Sequence, residues 1–302
     1  MAPGKMHVGE VDTDVSLVAR LLAAQFPQWA GLPIKPVPSS GTDNALYRLG
    51  DDLVVRLPRI HWATGQAEKE LRWLPKLAPH LPLAVPAPLA MGEPGEGYPW
   101  PWSVYRWLEG ENATVDTIPD PNETATDLAR FITALRRLDP TGGPRDVYRG
   151  WALSTRDRHT REAIAASAAR GLVNAEAATA AWEAALRTPP WDRAPAWFHG
   201  DLMPGNLLFV GGRLSAIIDF GALGVGDPAC DLIIAWGFFA GESRKAFRAA
   251  LAVDDATWAR GRGWALSIGL VALPYYVGTN PGLAAVARRQ IDEALAGYLA
   301  SS

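Results

Sequence analysis

Cysteine is nearly missing from this chain. Cys230 stands alone, so no disulfide can close within it. An excess of charge of either sign is missing too. The net charge is −3, and up to Leu108 ten basic residues balance ten acidic ones. That balance speaks against a nucleic-acid partner and is too weakly acidic to argue by itself for a cationic ligand. Long apolar runs are also absent. The longest, Ala265–Gly278, is too short for a membrane span and contains Pro274. With no apolar N-terminal segment, the chain is expected to be cytoplasmic and to have no membrane partner. Neither internal repeats nor low-complexity linkers occur.

Core-forming residues are plentiful. Of 302 residues, 48% are hydrophobic, enough for one large domain or two lobes. Thirteen tryptophans are expected mainly to pack the interior. Residues 12–27 have the spacing of an amphipathic helix, with Val15, Val18, Leu22 and Phe26 on one side. Strands are predicted at Ile34–Pro38, Ala45–Leu49 and Leu53–Leu57, the last two joined across Gly50-Asp51-Asp52. Gln66–Leu77 reads as a helix through Ala67, Leu71, Leu74 and Leu77, with Pro75 predicting a break or kink. A short strand near Leu89–Met91 and another at Trp102–Leu108 follow. The rest reads as mostly helical: Glu123–Leu138, two helices across 161–187 separated near Gly171, Asp231–Phe239, Ser243–Leu251, Trp258–Leu273 and Gly282–Ala300. A hairpin, Leu207–Val210 with Leu214–Ile218, turns at Gly211-Gly212. The fold class expected is therefore α+β and bilobal. A small β-rich lobe spans residues 1–108, and a larger mainly helical lobe spans residues 109–302.

The chemistry concentrates in one stretch. His199-Gly200-Asp201 is followed by Pro204-Gly205-Asn206, and after the hairpin comes Ile218-Asp219-Phe220-Gly221. Asp201, Asn206 and Asp219 can supply three oxygen-bearing side chains to one point. Phosphoryl transfer needs that set: a carboxylate to orient the attacking hydroxyl and two hard oxygen ligands for Mg²⁺. Asp201 is the candidate base, and Asn206 and Asp219 are the candidate metal ligands. A lone Asp in a loop is more often a local hydrogen-bond acceptor, and it is the register of the other two residues that favours catalysis. The spacing is the H-x-D-x-x-x-x-N and D-F-G pattern of protein kinases.

Together with Gly226-Asp227-Pro228-Ala229-Cys230-Asp231-Leu232, these motifs resemble the aminoglycoside phosphotransferase family, which is similar to choline kinases and shares the protein-kinase-like fold. The resemblance runs over nearly the whole chain. It is strongest over residues 197–236 and weaker over residues 33–110. It implies ATP, or GTP, as phosphoryl donor, Mg²⁺ as cofactor and a small-molecule hydroxyl as acceptor. It also implies supporting positions for His199, Asp227 and Asp231, with Asp227 capping a helix and Asp231 bracing the catalytic loop.

On the nucleotide side, the resemblance implies a cation on the third strand paired with a helix carboxylate. Arg56 stands where lysine is usual, with Glu70 as its partner and Glu68 as the rival. Val54 shares the Arg56 face of the strand and is expected over the adenine. Ser40 and Thr42 are candidates for phosphate oxygens, although the loop Ser39–Asn44 reads equally as an ordinary turn. Tyr105–Leu108 matches the hinge, which assigns the Arg106 carbonyl and the Leu108 amide to the adenine edge. Leu208 and Ile218 would supply its apolar floor.

A protein kinase is a poor match. Asp227-Pro228 follows Asp219-Phe220-Gly221 within a few residues, which leaves no room for an activation loop, and no A-P-E follows. An aminoglycoside-type or other antibiotic is the leading acceptor. A kinase for choline, ethanolamine or a sugar and a nucleotide-binding pseudokinase remain as alternatives. Acceptor contacts are expected among Glu111, Trp151, Asp157, Trp236, Glu242, Tyr275 and Tyr276.

Overall fold

A computed structural model of the chain describes residues 9–38, 41, 43–114, 120–146 and 148–299. Ser40 and Thr42 lie outside these residues. The chain forms two compact units, Met1–Pro79 with Ala84–Gly110 and Ala216–Gly221, and His80–Leu83 with Glu111–Ser215 and Ala222–Ser302.

The first unit opens with helix α1 (Val15–Gln25), whose first turn is closed by Asp14 accepting the Leu17 N–H at 2.7 Å. Strands β1 (Ile34–Pro36), β2 (Asn44–Leu49) and β3 (Leu53–Pro58) precede helix α2 (Gln66–Leu77) and strands β4 (Pro88–Gly92) and β5 (Trp102–Arg106). They form one antiparallel sheet in the order β1-β2-β3-β5-β4. Strict alternation sorts its faces. Ala45, Tyr47, Leu49, Val55 and Leu57 point into a core shared with Leu17, Val18, Leu21 and Leu22 of α1. Asn44, Leu46, Val54 and Arg56 take the opposite face.

Helix α2 departs from its predicted face. It buries Glu70, Trp73, Leu74 and Leu77, while Leu71 is exposed. The helix is turned by its carboxylate, because Glu70 finds a cation inside and Leu71 gives up its place. Pro75 neither breaks nor ends it; the helix runs on to Leu77. The N–H that Pro75 lacks would have bonded the carbonyl of Leu71, a residue on the exposed face of the helix, where its loss costs least.

The second unit contains β6 (Glu111–Asn112), α3 (Pro121–Arg137), α4 (Asp157–Ala169), α5 (Ala175–Leu186), β7 (Ala196–Phe198), β8 (Leu207–Val210), the start of β9 (Arg213–Ile217), whose last two residues belong to the first unit, β10 (Gly224–Gly226), α6 (Ile234–Gly237), α7 (Gly241–Leu251), α8 (Asp255–Tyr276) and α9 (Pro281–Leu299). Strand β8 pairs with β6 through Glu111↔Phe209 and Asn112↔Leu208. Strands β7 and β10 pair from Gly224↔Phe198 to Gly226↔Ala196. That ladder fixes the start of the His199–Asn206 loop. The predicted helix at Asp231–Phe239 is replaced by a 3₁₀ turn, Pro228–Ile233, and the four-residue α6. Asp227 accepts the Ala229 N–H at 3.0 Å, and Pro228 occupies the first helical position.

Five tryptophans, Trp102, Trp182, Trp197, Trp236 and Trp264, are fully buried. Trp236 is one of the expected acceptor contacts, and burial removes it from that role. Its ring packs against that of Trp258 with centroids 4.8 Å apart and the planes tilted by 43°.

Candidate active site

Each unit carries part of the chemistry. In the first, strand alternation turns Arg56 away from the core toward α2 and the 216–221 segment. Its guanidinium is nearly saturated. Nη1 donates to Glu70 Oε1 and Oε2 at 2.9 and 3.0 Å, and Nη2 donates to Gln66 Oε1 at 2.9 Å and Asp219 Oδ1 at 3.1 Å. With its amide turned to present oxygen, Asn44 accepts from Nε at 3.1 Å. Glu70 is therefore the partner of Arg56; Glu68 is exposed and pairs with no cation among the described residues. The pair is well shielded, the Arg56 side chain being 12% and the Glu70 side chain 0% exposed. Burial alone would lower the Arg56 pKa. Coulombic attraction from Glu70 and Asp219 outweighs it, and the guanidinium is held above its ordinary range.

Tyr105 completes this network by donating its hydroxyl to Glu70 Oε2. Burial raises the pKa of that phenol, and the neighbouring Glu70 raises it further. Asn44, Gln66 and Tyr105 are supporting residues that the sequence reading missed. Tyr105 was marked only as hinge backbone, and nothing in the spacing of Asn44 or Gln66 distinguishes them from surface polar residues.

Asp219 adopts φ +65°, a left-handed conformation uncommon for a residue with a Cβ. Asp tolerates it better than most, and strain of this kind concentrates where a side chain must be aimed. The Asp219 side chain is 42% exposed, so its carboxylate meets solvent as well as Arg56.

Elsewhere in this unit, Val54 lies on the Arg56 face of β3, opposite Tyr105 in the ladder with β5. Arg106 donates its N–H to Ala87 O at 3.0 Å, and Trp107 donates to Asp52 O at 2.7 Å. The Leu108 N–H has no acceptor among the described residues. Ile218 belongs to this unit, whereas Leu208, on β8, belongs to the other.

In the second unit the loop after β7 is braced from below. Asp231 is fully buried, accepting the His199 N–H at 2.9 Å and the Gly200 N–H at 2.7 Å, one on each carboxylate oxygen. Gly200 has φ +88°, and a Cβ there would stand 2.6 Å from the Ala222 carbonyl oxygen, so only glycine fits this turn. His199, fully buried, accepts the Asp201 N–H on Nδ1 at 3.2 Å, which places its own ring proton on Nε2. Asn206 donates Nδ2 to Asp201 O at 2.8 Å and to Asp201 Oδ2 at 3.2 Å. Both bonds use the amide nitrogen and neither uses the amide oxygen. Asp227 forms a buried ion pair with Arg260 at 2.8 Å, with side chains 3% and 4% exposed.

Arg149 is a further residue that the sequence reading missed. Its Nε donates to Gly200 O at 2.9 Å, on the peptide that leads into Asp201. Among the other expected acceptor contacts, Asp157 is engaged by Trp182 Nε1 and Arg161, both at 2.8 Å. Glu242 pairs with Lys245 at 2.8 Å, and Tyr275 and Trp151 are exposed.

The brace is also a pH sensor. Burial pushes the Asp231 carboxyl up to about 6, against the pull of the Gly200 and His199 amides and of Arg136. A carboxyl raised in the folded state favours folding at low pH, and that contribution is lost as pH rises through about 6. Asp231→Asn removes it. The stability gap between wild type and this variant should therefore widen by about 1 kcal/mol on going from pH 7.5 to pH 5. Urea denaturation of both proteins at the two pH values measures the change; a constant gap would show that the buried carboxyl does not titrate in this window.

The donor chemistry fits Mg²⁺. Asp219 offers a carboxylate and Asn206 an amide oxygen, both hard ligands, and Mg²⁺ commonly takes only one or two protein ligands beside phosphates and water. Among the described residues no group of three His, Cys, Asp or Glu forms an all-protein metal cage. No described helix is long and apolar enough to cross a membrane.

No curated protein matches the chain. Solved structures do. The GDP complex of wild-type aminoglycoside 2'-phosphotransferase-IIIa superposes with a TM-score of 0.75 at 19% identity, over 95% of this chain and 100% of that one. The GDP and kanamycin complex of APH(2")-IIia gives 0.71 at 19% identity, over 93% and 98%. Macrolide 2'-phosphotransferase MphH from Brachybacterium faecium, as apoenzyme, gives 0.60 at 24% identity, over 90% and 97%. At these identities the likeness establishes the α+β, kinase-like fold. The family model described as "Phosphotransferase enzyme family" matches residues 34–264, more than half of the chain, and the chain belongs to that family.

Proposed function

We propose that this phosphotransferase moves the γ-phosphoryl group of ATP or GTP to a hydroxyl of a small molecule, with an aminoglycoside-type or other antibiotic as the first class to test. The observation that carries the reading is the loop His199–Asn206. Its backbone is clamped by a buried carboxylate, and its Asp201 carboxylate is oriented by the Asn206 amide. A loop built so tightly around one partly exposed acid suits positioning chemistry, which is what a loose phosphoryl-transfer transition state requires.

In this reading Asp201 holds the acceptor hydroxyl and receives its proton. The new O–P bond forms as the bond to the β-phosphate oxygen breaks, and ADP or GDP leaves. Asn206 orients Asp201 with its amide nitrogen and offers its oxygen to the metal, and Asp219 offers the second protein oxygen. When bound, Mg²⁺ neutralises charge on the β- and γ-phosphates.

Arg56 has few hydrogens to spare, so a phosphate oxygen would take the place of Asp219 on Nη2, which would free the Asp219 carboxylate to hold the metal. Val54, Leu208 and Ile218 cover the base, and the unused Leu108 N–H and the Arg106 carbonyl read its edge. Residues 1–108 serve the nucleotide, and residues 109–302 serve catalysis and the acceptor. Ser40 and Thr42 are proposed for phosphate contact from sequence alone.

A coupled assay of nucleotide consumption against aminoglycosides, macrolides, peptide antibiotics, choline, ethanolamine and simple sugars tests this reading. Acceptor-dependent turnover that needs Asp201 is expected with at least one class. Nucleotide binding without Asp201-dependent turnover across the whole panel would instead mark a pseudokinase.

A further inference from the structure

The catalytic unit holds two guanidinium groups with no anion to match them. Arg149 and Arg156 are both half-buried. Arg149 spends Nε on the Gly200 carbonyl, and Arg156 spends Nε on Ser267 Oγ at 2.8 Å while its guanidinium lies 5.2 Å from the Trp264 ring centroid. Neither forms an ion pair among the described residues, and their terminal nitrogens have no acceptor there.

The acids nearest in sequence are engaged elsewhere. Asp146 Oδ1 accepts the Tyr148 and Arg149 amides at 2.8 and 2.9 Å, and Asp157 Oδ1 accepts from Trp182 and Arg161. The charge of Arg149 also bears on Arg156. The Arg156 pKa falls to about 10, chiefly through burial and then through the charge of Arg149. Holding a guanidinium such as Arg156 partly out of water, with a like charge acting on it, is costly without a counter-ion. The aromatic face and one hydroxyl supply Arg156 with only a fraction of what a carboxylate or phosphate would. Arg149 also touches the peptide that leads into Asp201, so an anion held by its terminal nitrogens would lie near the candidate base.

We infer that Arg149 and Arg156 form an anion subsite on the acceptor side of Asp201, which takes a carboxylate or phosphate ester of the molecule to be phosphorylated. The placement on the acceptor side rests on the phosphotransferase reading; the capacity to bind an anion does not. Within the small-molecule hydroxyl acceptors proposed above, such a site favours those that carry an anion, whether hydroxylated acids, phosphorylated alcohols or an antibiotic with a carboxylate or phosphate group, over polycationic aminoglycosides. Planar guanidinium forks suit both anions.

Four hydroxylated probes of similar size differ in charge: glycerate, glycerol 3-phosphate, glycerol and ethanolamine. Calorimetric titration of each into protein saturated with Mg·ADP keeps the nucleotide phosphate contacts occupied. Both anions should bind at least about tenfold more tightly than glycerol or ethanolamine. Arg156→Gln should weaken the anions by about 10- to 100-fold, with Arg156→Lys intermediate, and ADP affinity should stay within about threefold. Arg149→Lys provides an independent variant in which the charge stays and the fork is lost. A preference for glycerol 3-phosphate over glycerate identifies a phosphate ester as the ligand, and the reverse identifies a carboxylate; either result supports the subsite.

Binding of ethanolamine as tight as that of the anions, or unchanged anion binding in Arg156→Gln, would overturn it. Turnover of the same four probes is scored separately. Anions that bind but are never phosphorylated, in an enzyme silent toward every other hydroxyl, would leave the subsite standing and remove the acceptor reading. Phosphorylation of aminoglycosides by an enzyme that binds neither anion would do the opposite.

Discussion

Asp201→Asn should lower kcat by about three to five orders of magnitude and leave Mg·ATP affinity within a few-fold. The substitution is nearly isosteric. It keeps one oxygen for the Asn206 amide and leaves the backbone contacts of the loop, to His199 and Asn206, in place. What it removes is the negative charge that, in the proposed mechanism, fixes the acceptor hydroxyl and the basicity that receives its proton. General-base catalysis contributes about 10²–10⁴-fold by itself, and loss of orientation adds to it. Single-turnover kinetics, with nucleotide affinity measured separately by calorimetry, checks both halves. Turnover within tenfold of wild type would take Asp201 out of the reaction, and equal loss of nucleotide affinity would make it a structural residue of the loop.

Arg56→Ala should weaken ATP and ADP together by about 10- to 100-fold and leave adenosine almost unchanged, since one charge-assisted contact is worth about 1.5–3 kcal/mol. The same variant should lose about 3–5 kcal/mol of stability, because it strands Glu70, fully buried, without its cation. Arg56→Lys separates the two effects. A lysine at this position restores charge to Glu70 and returns stability, but an ammonium with three N–H donors cannot replace the two bonds to Glu70 and those to Gln66, Asp219 and Asn44 at once. Nucleotide affinity should therefore recover only in part. Titration of ATP, ADP and adenosine into both variants, with urea denaturation alongside, measures each quantity. Loss of adenosine binding equal to that of ATP would mean that Arg56 supports the fold and touches no phosphate.

Much of this architecture was legible because two periodicities are strong. The alternation in β2 and β3 placed Val54 and Arg56 on one face, and the Gly50 and Gly211-Gly212 turns marked the hairpins. Where the reading failed, a polar contact had overruled an apolar pattern. Helix α2 was read through Leu71, but the Arg56 charge drew Glu70 inward and left Leu71 in solvent. The spacing predicts a helix over Asp231–Phe239, but Pro228–Ile233 is a 3₁₀ turn whose Asp231 reaches the His199 and Gly200 amides. Strands β6, β7 and β10 are two or three residues long, too short for any period to register. The engagement of Arg56 by four partners, and the burial of Trp236, arise from contacts far apart in sequence. Composition and spacing are blind to both.

The 216–221 segment has a consequence for how the protein is made. It supplies the first unit with the Ile217 N–H bond to Ala84 O at 2.9 Å and with the Asp219 carboxylate on Arg56. A ribosome that has released the first 110 residues has released a sheet whose cation still lacks one of its counter-charges. At about 5–20 residues per second, the remaining stretch takes several seconds or more to arrive. During that interval the nascent unit is a partner in waiting, and a fragment cut at Gly110 would be held permanently at that stage.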